Sequence, residues 1–284
     1  MNILVTGVNG QLGSEIFKIS PNYDYNWFFS DSTSFDMSDL TNIHQFLNSI
    51  SPNIIINCAA YTSVNDAENN YELANILNHK SIKCIAEWCN KKKCKLIHIS
   101  TDYVFDGKKN KPLNESDKTN PINNYGKTKL LGEKACIKTN SDSIIIRTSW
   151  LYSVYGNNFV KKIIGLMHQK DQISVINDQF GAPTYAANLA QVILKMIVSC
   201  KWVPGIYNYS SKANISWYDF AKDIKKIYGF NTNIIPVSSS EFNPFVNRPK
   251  FCFLDKTKIQ KTYGVEIIPY MNSLRKCIKI LKNE

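Results

Sequence analysis

No Cys-x-x-Cys pair and no apolar run of about 18 residues occur in this 284-residue chain, and each absence excludes a class of protein. Without such a run there is no candidate membrane span. The first twenty residues read as a strand followed by a glycine turn, not as a basic leader with a cleavable apolar segment. Eight cysteines are present, at Cys58, Cys84, Cys89, Cys94, Cys136, Cys200, Cys252 and Cys277, but they are too scattered for a disulfide framework. Reduced thiols are expected. Cys84, Cys89 and Cys94 recur every five residues, which turns successive side chains by roughly 140° on a helix and denies them a common metal-binding face. His44, His79, His98 and His168 show no ligand spacing either. No protein-held metal is expected.

Acidic residues are scarce beside basic ones, giving a formal charge of +11. The lysines are spread along the chain apart from Lys91-Lys92-Lys93, and no aromatic residues interleave with them as in an RNA-binding module. A nucleic-acid partner is therefore not expected, whereas a polyanionic nucleotide substrate suits the surplus of cations. The chain reads as a soluble cytoplasmic protein with no membrane partner. Its 44% hydrophobic content is enough for an ample core.

Short apolar runs at Asn2 to Thr6, Trp27 to Ser30, Asn53 to Cys58, Lys95 to Ser100 and Ser143 to Thr148 alternate with helical stretches. The stretches are Gln11 to Ile19, Leu40 to Ser49, Tyr71 to Lys91 and Asn124 to Thr139. This beat predicts an α/β fold, a Rossmann-type doubly wound parallel sheet whose strands are covered on both faces. After about Trp150 the beat weakens. Helices are predicted at Asn157 to Gln169, Tyr185 to Val198, Ser216 to Tyr228 and Met271 to Lys282, separated by loops at Asp178 to Thr184 and Ser238 to Pro249. The expected division is a nucleotide-binding domain over 1–150, to which segments near 172–200 return, and a smaller substrate-binding portion over 151–284.

Gly7, Gly10 and Gly13 follow the first strand and open a helix, the context a dinucleotide fingerprint requires: one glycine for the turn, one for close approach of a pyrophosphate, one for helix-to-strand contact. Asn9, Gln11 and Leu12 belong to the same cofactor turn. After the second strand comes Ser30-Asp31-Ser32-Thr33-Ser34-Phe35-Asp36, with no arginine or lysine to accept a 2′-phosphate. Asp31 points to NADH, while hydroxyls such as that of Ser32 remain able to hold a phosphate, with Asp36 nearby. The cofactor is thus NADPH or NADH. Ala59, Ala60 and Thr62, just beyond the third strand, leave room for it to pass over the sheet.

Tyr125 and Lys129, four residues apart, share a helix face, where the ammonium is expected to lower the phenol's pKa and to bind the nicotinamide ribose. Thr101, at the end of the fourth strand, is placed to hydrogen-bond a substrate oxygen. Hydride delivery to a carbonyl carbon develops an alkoxide that needs a proton and hydrogen-bond support, and these three side chains provide both.

The motifs Thr6-Gly-Val-Asn-Gly-Gln-Leu-Gly13, Asn57 to Glu68, Ser100-Thr-Asp-Tyr-Val-Phe-Asp-Gly107, Tyr125-Gly-Lys-Thr-Lys129, Arg147 to Tyr152 and Asp178 to Thr184 together resemble the extended short-chain dehydrogenase/reductase family, within it the dTDP-4-dehydrorhamnose reductases. The resemblance covers nearly the whole chain. It implies reduction of the 4-keto group of a nucleotide-linked 4-keto-6-deoxyhexose, for an L-rhamnose-type donor, with Thr101, Tyr125 and Lys129 as the catalytic set. It further implies that Val64, Asp102, Tyr103 and Trp150 border the sugar and that Gly181, Thr184 and Arg248 lie near the nucleotide end. A homodimer is compatible with it. The segment after Tyr185 lacks the acidic pair through which some relatives bind magnesium between subunits, and Glu15 alone would not hold that ion. Two alternatives stay open: a bifunctional epimerase-reductase or a reductase on a UDP-linked sugar, and a non-catalytic NADP-binding regulatory subunit.

Overall fold

Ile3 and Val5 pack on one side of the first strand and Leu4 on the other, and neighbouring strands repeat the alternation. The computed structural model describes residues 1–199, 201–242 and 245–283, so Cys200 lies outside it. Strands β1 (Asn2–Thr6), β2 (Asn26–Ser30), β3 (Ile54–Asn57), β4 (Lys95–Thr101) and β5 (Ile144–Thr148) are joined by helices α1 (Gln11–Ile19), α2 (Ile43–Ile50), α3 (Ser81–Lys92) and α4 (Asn124–Thr139). The later chain adds α5 (Phe159–Gln169), β6 (Gln172–Ile176), α6 (Ala186–Val198), β7 (Gly205–Asn208), α7 (Trp217–Tyr228), β8 (Asn233–Val237) and α8 (Tyr270–Leu281).

The main sheet is parallel throughout, in the order β7-β5-β4-β3-β1-β2. Winding proceeds outward in both directions from β1 and β3, so a crevice opens above their carboxyl ends, where the connections part to opposite faces. Ile3, Val5, Ile54, Ile56, Ile97 and Ile144 form one core with Leu12 and Ile16 of α1 and Leu189 to Ile197 of α6. Leu4, Ile55, Leu96 and Ile145 form the other with α2, α3 and Cys136 of α4. Each such fully buried aliphatic side chain stabilises the fold by about 1.5–3 kcal/mol. A third cluster, including Tyr152, Val160, Val175, Phe220 and Leu274, unites α5, β6, α7 and α8 away from the sheet.

Three expectations need correction. The second apolar run is not covered on both faces: β2 is the sheet's edge, and Phe28 stays exposed while Trp27 and Phe29 turn inward. The helix expected over Tyr71 to Lys91 is interrupted by a wider turn at Ile76–Lys80, which turns Asn78 inward to bridge Tyr61 and Thr128. Expected within the loops between the late helices, Gln172–Ile176 and Asn233–Val237 instead pair in parallel as β6 and β8, and the late strand that returns to the main sheet is Gly205–Asn208, as β7. These strands are short, and the order in which the chain visits them is not written in their composition. No helix among the described residues is long and apolar enough to cross a membrane.

The widened turn is also the seat of α4. A Cβ added at Gly132 would stand 2.1 Å from the Asn78 carbonyl oxygen. Gly132→Ala should therefore force α4 outward and destabilise the protein by about 1–3 kcal/mol, lowering Tm by about 2–4 °C per kcal/mol. A melt followed by circular dichroism checks this; an unchanged Tm would mean that the helices part without cost.

Candidate active site

The cleft at the carboxyl ends of the strands has a volume of about 930 Å³, the size of a ligand site. Gly7 sits at φ 71°, where an added Cβ would come within 2.9 Å of the Ala59 backbone, and one at Gly13 would reach 2.2 Å from the Gly7 carbonyl oxygen. Only glycines allow the turn to lie this close to β3 and α1. Gly10 caps α1 without a side-chain hydrogen bond, so the amides of the first turn face the cleft, a ready site for an anionic group. Gly7, Asn9, Gly10, Gln11 and Leu12 all line it.

Asp31 follows β2 directly. One carboxylate oxygen accepts from the Thr33 and Ser34 amides at 3.1 and 2.9 Å and from their hydroxyls at 2.7 and 2.9 Å, and the other accepts from Asn9 at 2.9 Å. The Ser34 amide leads these bonds in holding the carboxyl well below its usual range. Asp36 likewise accepts from the Ser38 amide and hydroxyl at 2.8 and 2.7 Å. Asp31, Ser32 and Asp36 line this end, and Ala59, Ala60, Thr62 and Val64 line the wall above β3. Among the described lining residues Lys129 is the one lysine or arginine; the protein's surplus of cations is elsewhere on its surface.

The other half of the site rests on α4. Asn123 caps that helix by accepting from the Gly126 amide at 2.8 Å, and Gly126 lets the Tyr103 carbonyl come so close that a Cβ there would be 2.2 Å from it. Tyr125 meets Tyr103 edge-to-face with centroids 5.6 Å apart. Burial pushes its phenol up to about 12, against a hydrogen bond with the Thr101 hydroxyl. The expected lowering of that phenol by Lys129 is absent here, because Lys129 Nζ donates to the Ile99 carbonyl at 2.7 Å. Burial pushes the ammonium itself down to about 8, countered by Glu133. A phenol at about 12 is fully protonated at neutral pH, the state a proton donor requires.

One turn beyond Lys129, Glu133 forms a buried bidentate pair with Arg147 of β5, at 2.9 and 2.7 Å, and accepts from Ser100 of β4 at 2.5 Å. Beneath Thr6, Asn57 joins the Thr6 hydroxyl at 2.7 Å to His98 at 3.0 Å; burial, aided by Lys129, keeps His98 neutral. Sequence reasoning missed Glu133, Ser100 and His98 as supports. The step of four from Tyr125 to Lys129, continued once, finds Glu133.

On the sugar side expected from the sequence, Thr101, Asp102, Tyr103 and Trp150 all line the cleft. Trp150 adopts φ 46° and stacks on Trp217, another lining residue the sequence did not suggest, with centroids 3.5 Å apart. Gly181, Thr184 and Arg248 do not line it. Gly181 lies behind the Trp150 ring, which a Cβ would approach to 2.8 Å. Thr184 is fully buried, its amide donating to the Trp150 carbonyl at 3.2 Å. Arg248 reaches instead to Asn65, at 2.6 Å.

The family described as RmlD substrate binding domain matches residues 1–283. A dTDP-4-dehydrorhamnose reductase of Aggregatibacter actinomycetemcomitans is 34% identical, with 96% of this chain and 97% of that protein covered. The crystal structure of a dTDP-4-dehydrorhamnose reductase from Clostridium acetobutylicum superposes with a TM-score of 0.95 at 37% identity, over 99% of this chain and all of the other. That of the Bacillus anthracis reductase in complex with NADP gives 0.94 at 35% identity, over 98% of each chain.

Removing one partner of a buried ion pair leaves the other charge uncompensated. Glu133→Ala should cost about 3–5 kcal/mol in urea denaturation. A loss below 1 kcal/mol would show that Arg147 finds another partner.

Proposed function

The chain belongs to the RmlD substrate-binding-domain family, and on that premise we propose that it is a dTDP-4-dehydrorhamnose reductase: it reduces the 4-keto group of its nucleotide-linked sugar with NADPH or NADH, for polysaccharide synthesis. The observation that carries the reading is a single cleft onto which the glycine turn, the Tyr125 phenol and Trp150 all open. The residues fit a dinucleotide. The uncapped start of α1 suits its pyrophosphate and the fixed carboxylate of Asp31 a ribose hydroxyl.

A reduced nicotinamide supplies the hydride. In our reading Tyr125 gives its phenolic proton to the C4 oxygen of the sugar as that oxygen gains charge, and Thr101 supports it by hydrogen bonding. Lys129, released from the Ile99 carbonyl, holds the ribose. Val64, Tyr103 and Trp150 enclose the sugar, and Trp150 offers an apolar face suited to a 6-deoxy carbon. We assign cofactor binding mainly to 1–150 and substrate binding mainly to 151–284; the separate core around Phe220 and Leu274 supports that division, while α6 and β7 belong to the sheet side. A cytoplasmic setting and a homodimer complete the proposal.

Tyr125→Phe should leave cofactor affinity within about twofold while turnover falls by about 10²–10⁴, measured as cofactor oxidation with dTDP-, UDP- and GDP-linked 4-keto-6-deoxy sugars; full turnover would remove Tyr125 from its role. The Asp31 carboxylate should favour NADH over NADPH, and Asp31→Ser should shift the ratio of dissociation constants toward NADPH by about tenfold. Fluorescence titration reads that ratio, and an unmoved value would place the 2′-position elsewhere.

A further inference from the structure

Thr101 and Asp102 make a contact that this reaction does not use. Thr101 Oγ1 donates to Asp102 Oδ1 at 3.1 Å and accepts from the Tyr103 amide at 3.2 Å. A hydroxyl has one proton and two lone pairs, so what remains toward the cleft is a lone pair. In that state Thr101 accepts but cannot donate to a carbonyl oxygen, the role the reaction gives it. Asp102 itself is 1% exposed, lines the cleft, and has no hydrogen-bond partner on Oδ2. A buried carboxylate with a bare oxygen is costly, and a proton on the group relieves the cost.

We propose that Asp102 is a positioning residue whose proton turns the Thr101 hydroxyl into a donor for the C4 oxygen of the sugar. With Asp102 protonated, its O–H donates to Thr101, both Thr101 lone pairs are then occupied, and the threonine proton points into the cleft. With Asp102 ionised, the threonine proton returns to the carboxylate and a negative charge stands beside the oxygen where charge develops. Both consequences slow reduction. This rests on the reductase reading. The hydride bonds to C4, the carbonyl π pair moves to oxygen, that oxygen takes the Tyr125 proton, and Tyr125 regains one from solvent. The Asp102 proton is not consumed.

Asp102 and Lys129 are the groups of the cleft that change charge near neutrality. Tyr103 beside it, Tyr125 on α4 and Cys252 on the Phe251–Cys252 strand face it, and burial raises all three. Arg248, whose field reaches Tyr103, is the nearby cation, and Asp106 stands beyond Cys252. Burial holds the Asp102 carboxyl up at about 7, against the hydrogen bond from Thr101, while the Cys252 thiol donates to the Asp102 backbone carbonyl at 3.8 Å. The sign follows: protonated and reduction-competent below that value, ionised above it.

The test is turnover of the keto-sugar at saturating cofactor between about pH 6 and pH 9. Wild type should fall by on the order of 10²-fold across a limb near 7, the loss expected for one oxyanion donor. Asp102→Asn, whose amide donates to Thr101 at every pH, should keep turnover at pH 6 within about tenfold of wild type and lose that limb, leaving the step of Lys129 near 8. An unmoved limb in the variant, or a folded, cofactor-binding variant slowed more than about a hundredfold at pH 6, overturns the proposal. Infrared spectra of wild type carrying 13C-labelled aspartate give a second reading that needs no variant: a protonated carboxyl band below the limb should vanish above it, and its absence throughout overturns the proposal. Failure to reduce any keto-sugar at any pH would sink the reductase reading instead, with the infrared band still deciding whether Asp102 carries a proton.

Discussion

The buried pair between Glu133 and Arg147 is the constraint from which the reactive half of the site is built. It ties α4 to β5, and through Ser100 to β4, at the level where those strands end. Tyr125, Lys129 and Glu133 follow one another at intervals of four, so fixing Glu133 fixes the helix face that carries the phenol and the ammonium. Two bare glycines finish the fit: Gly126 admits the Tyr103 carbonyl and Gly132 that of Asn78. A buried ion pair adds little net stability against an apolar substitute, because desolvation offsets the attraction. Its contribution here is geometric, since a bidentate fork between a helix and a strand permits one angle and one depth.

The cofactor half is organised differently, by backbone and by fixed anions. Asp31 is held by the turn that follows it and by Asn9 of the glycine turn, so the loops that follow the neighbouring strands β1 and β2 share one carboxylate. With Asp36 also in the lining there and a single ammonium deep inside, the cleft is acidic at one end within a strongly basic protein. Overall charge therefore governs encounter with a nucleotide, while local charge governs which nucleotide stays.

Much of this was legible in the sequence, and the reason is locality. β1, α1 and α4 lie where expected because their signals are contained within a turn or two: apolar alternation, a glycine opening a helix, two side chains four residues apart. The meeting of Thr101, Tyr125 and Lys129 in one cleft was readable from spacing and from position at a strand end. The pairing of β6 with β8 was not, since sixty residues separate the partners and neither run is apolar enough to demand a place. Gly181, Thr184 and Arg248 mark the same boundary. A motif shows that a loop matters, but which side chain faces the cavity and which props up a neighbour is decided by packing. Likewise no pattern announces that burial holds Tyr125 high or that Lys129 turns to a carbonyl.

Trp150 illustrates a consequence for altering this pocket. Its ring is clamped between the Trp217 indole and the bare backbone of Gly181, on a left-handed residue that few side chains tolerate. Residues 150, 181 and 217 therefore form one mechanical unit. Reshaping this wall of the cleft means exchanging all three together, because each alone would leave the other two with a void or a collision.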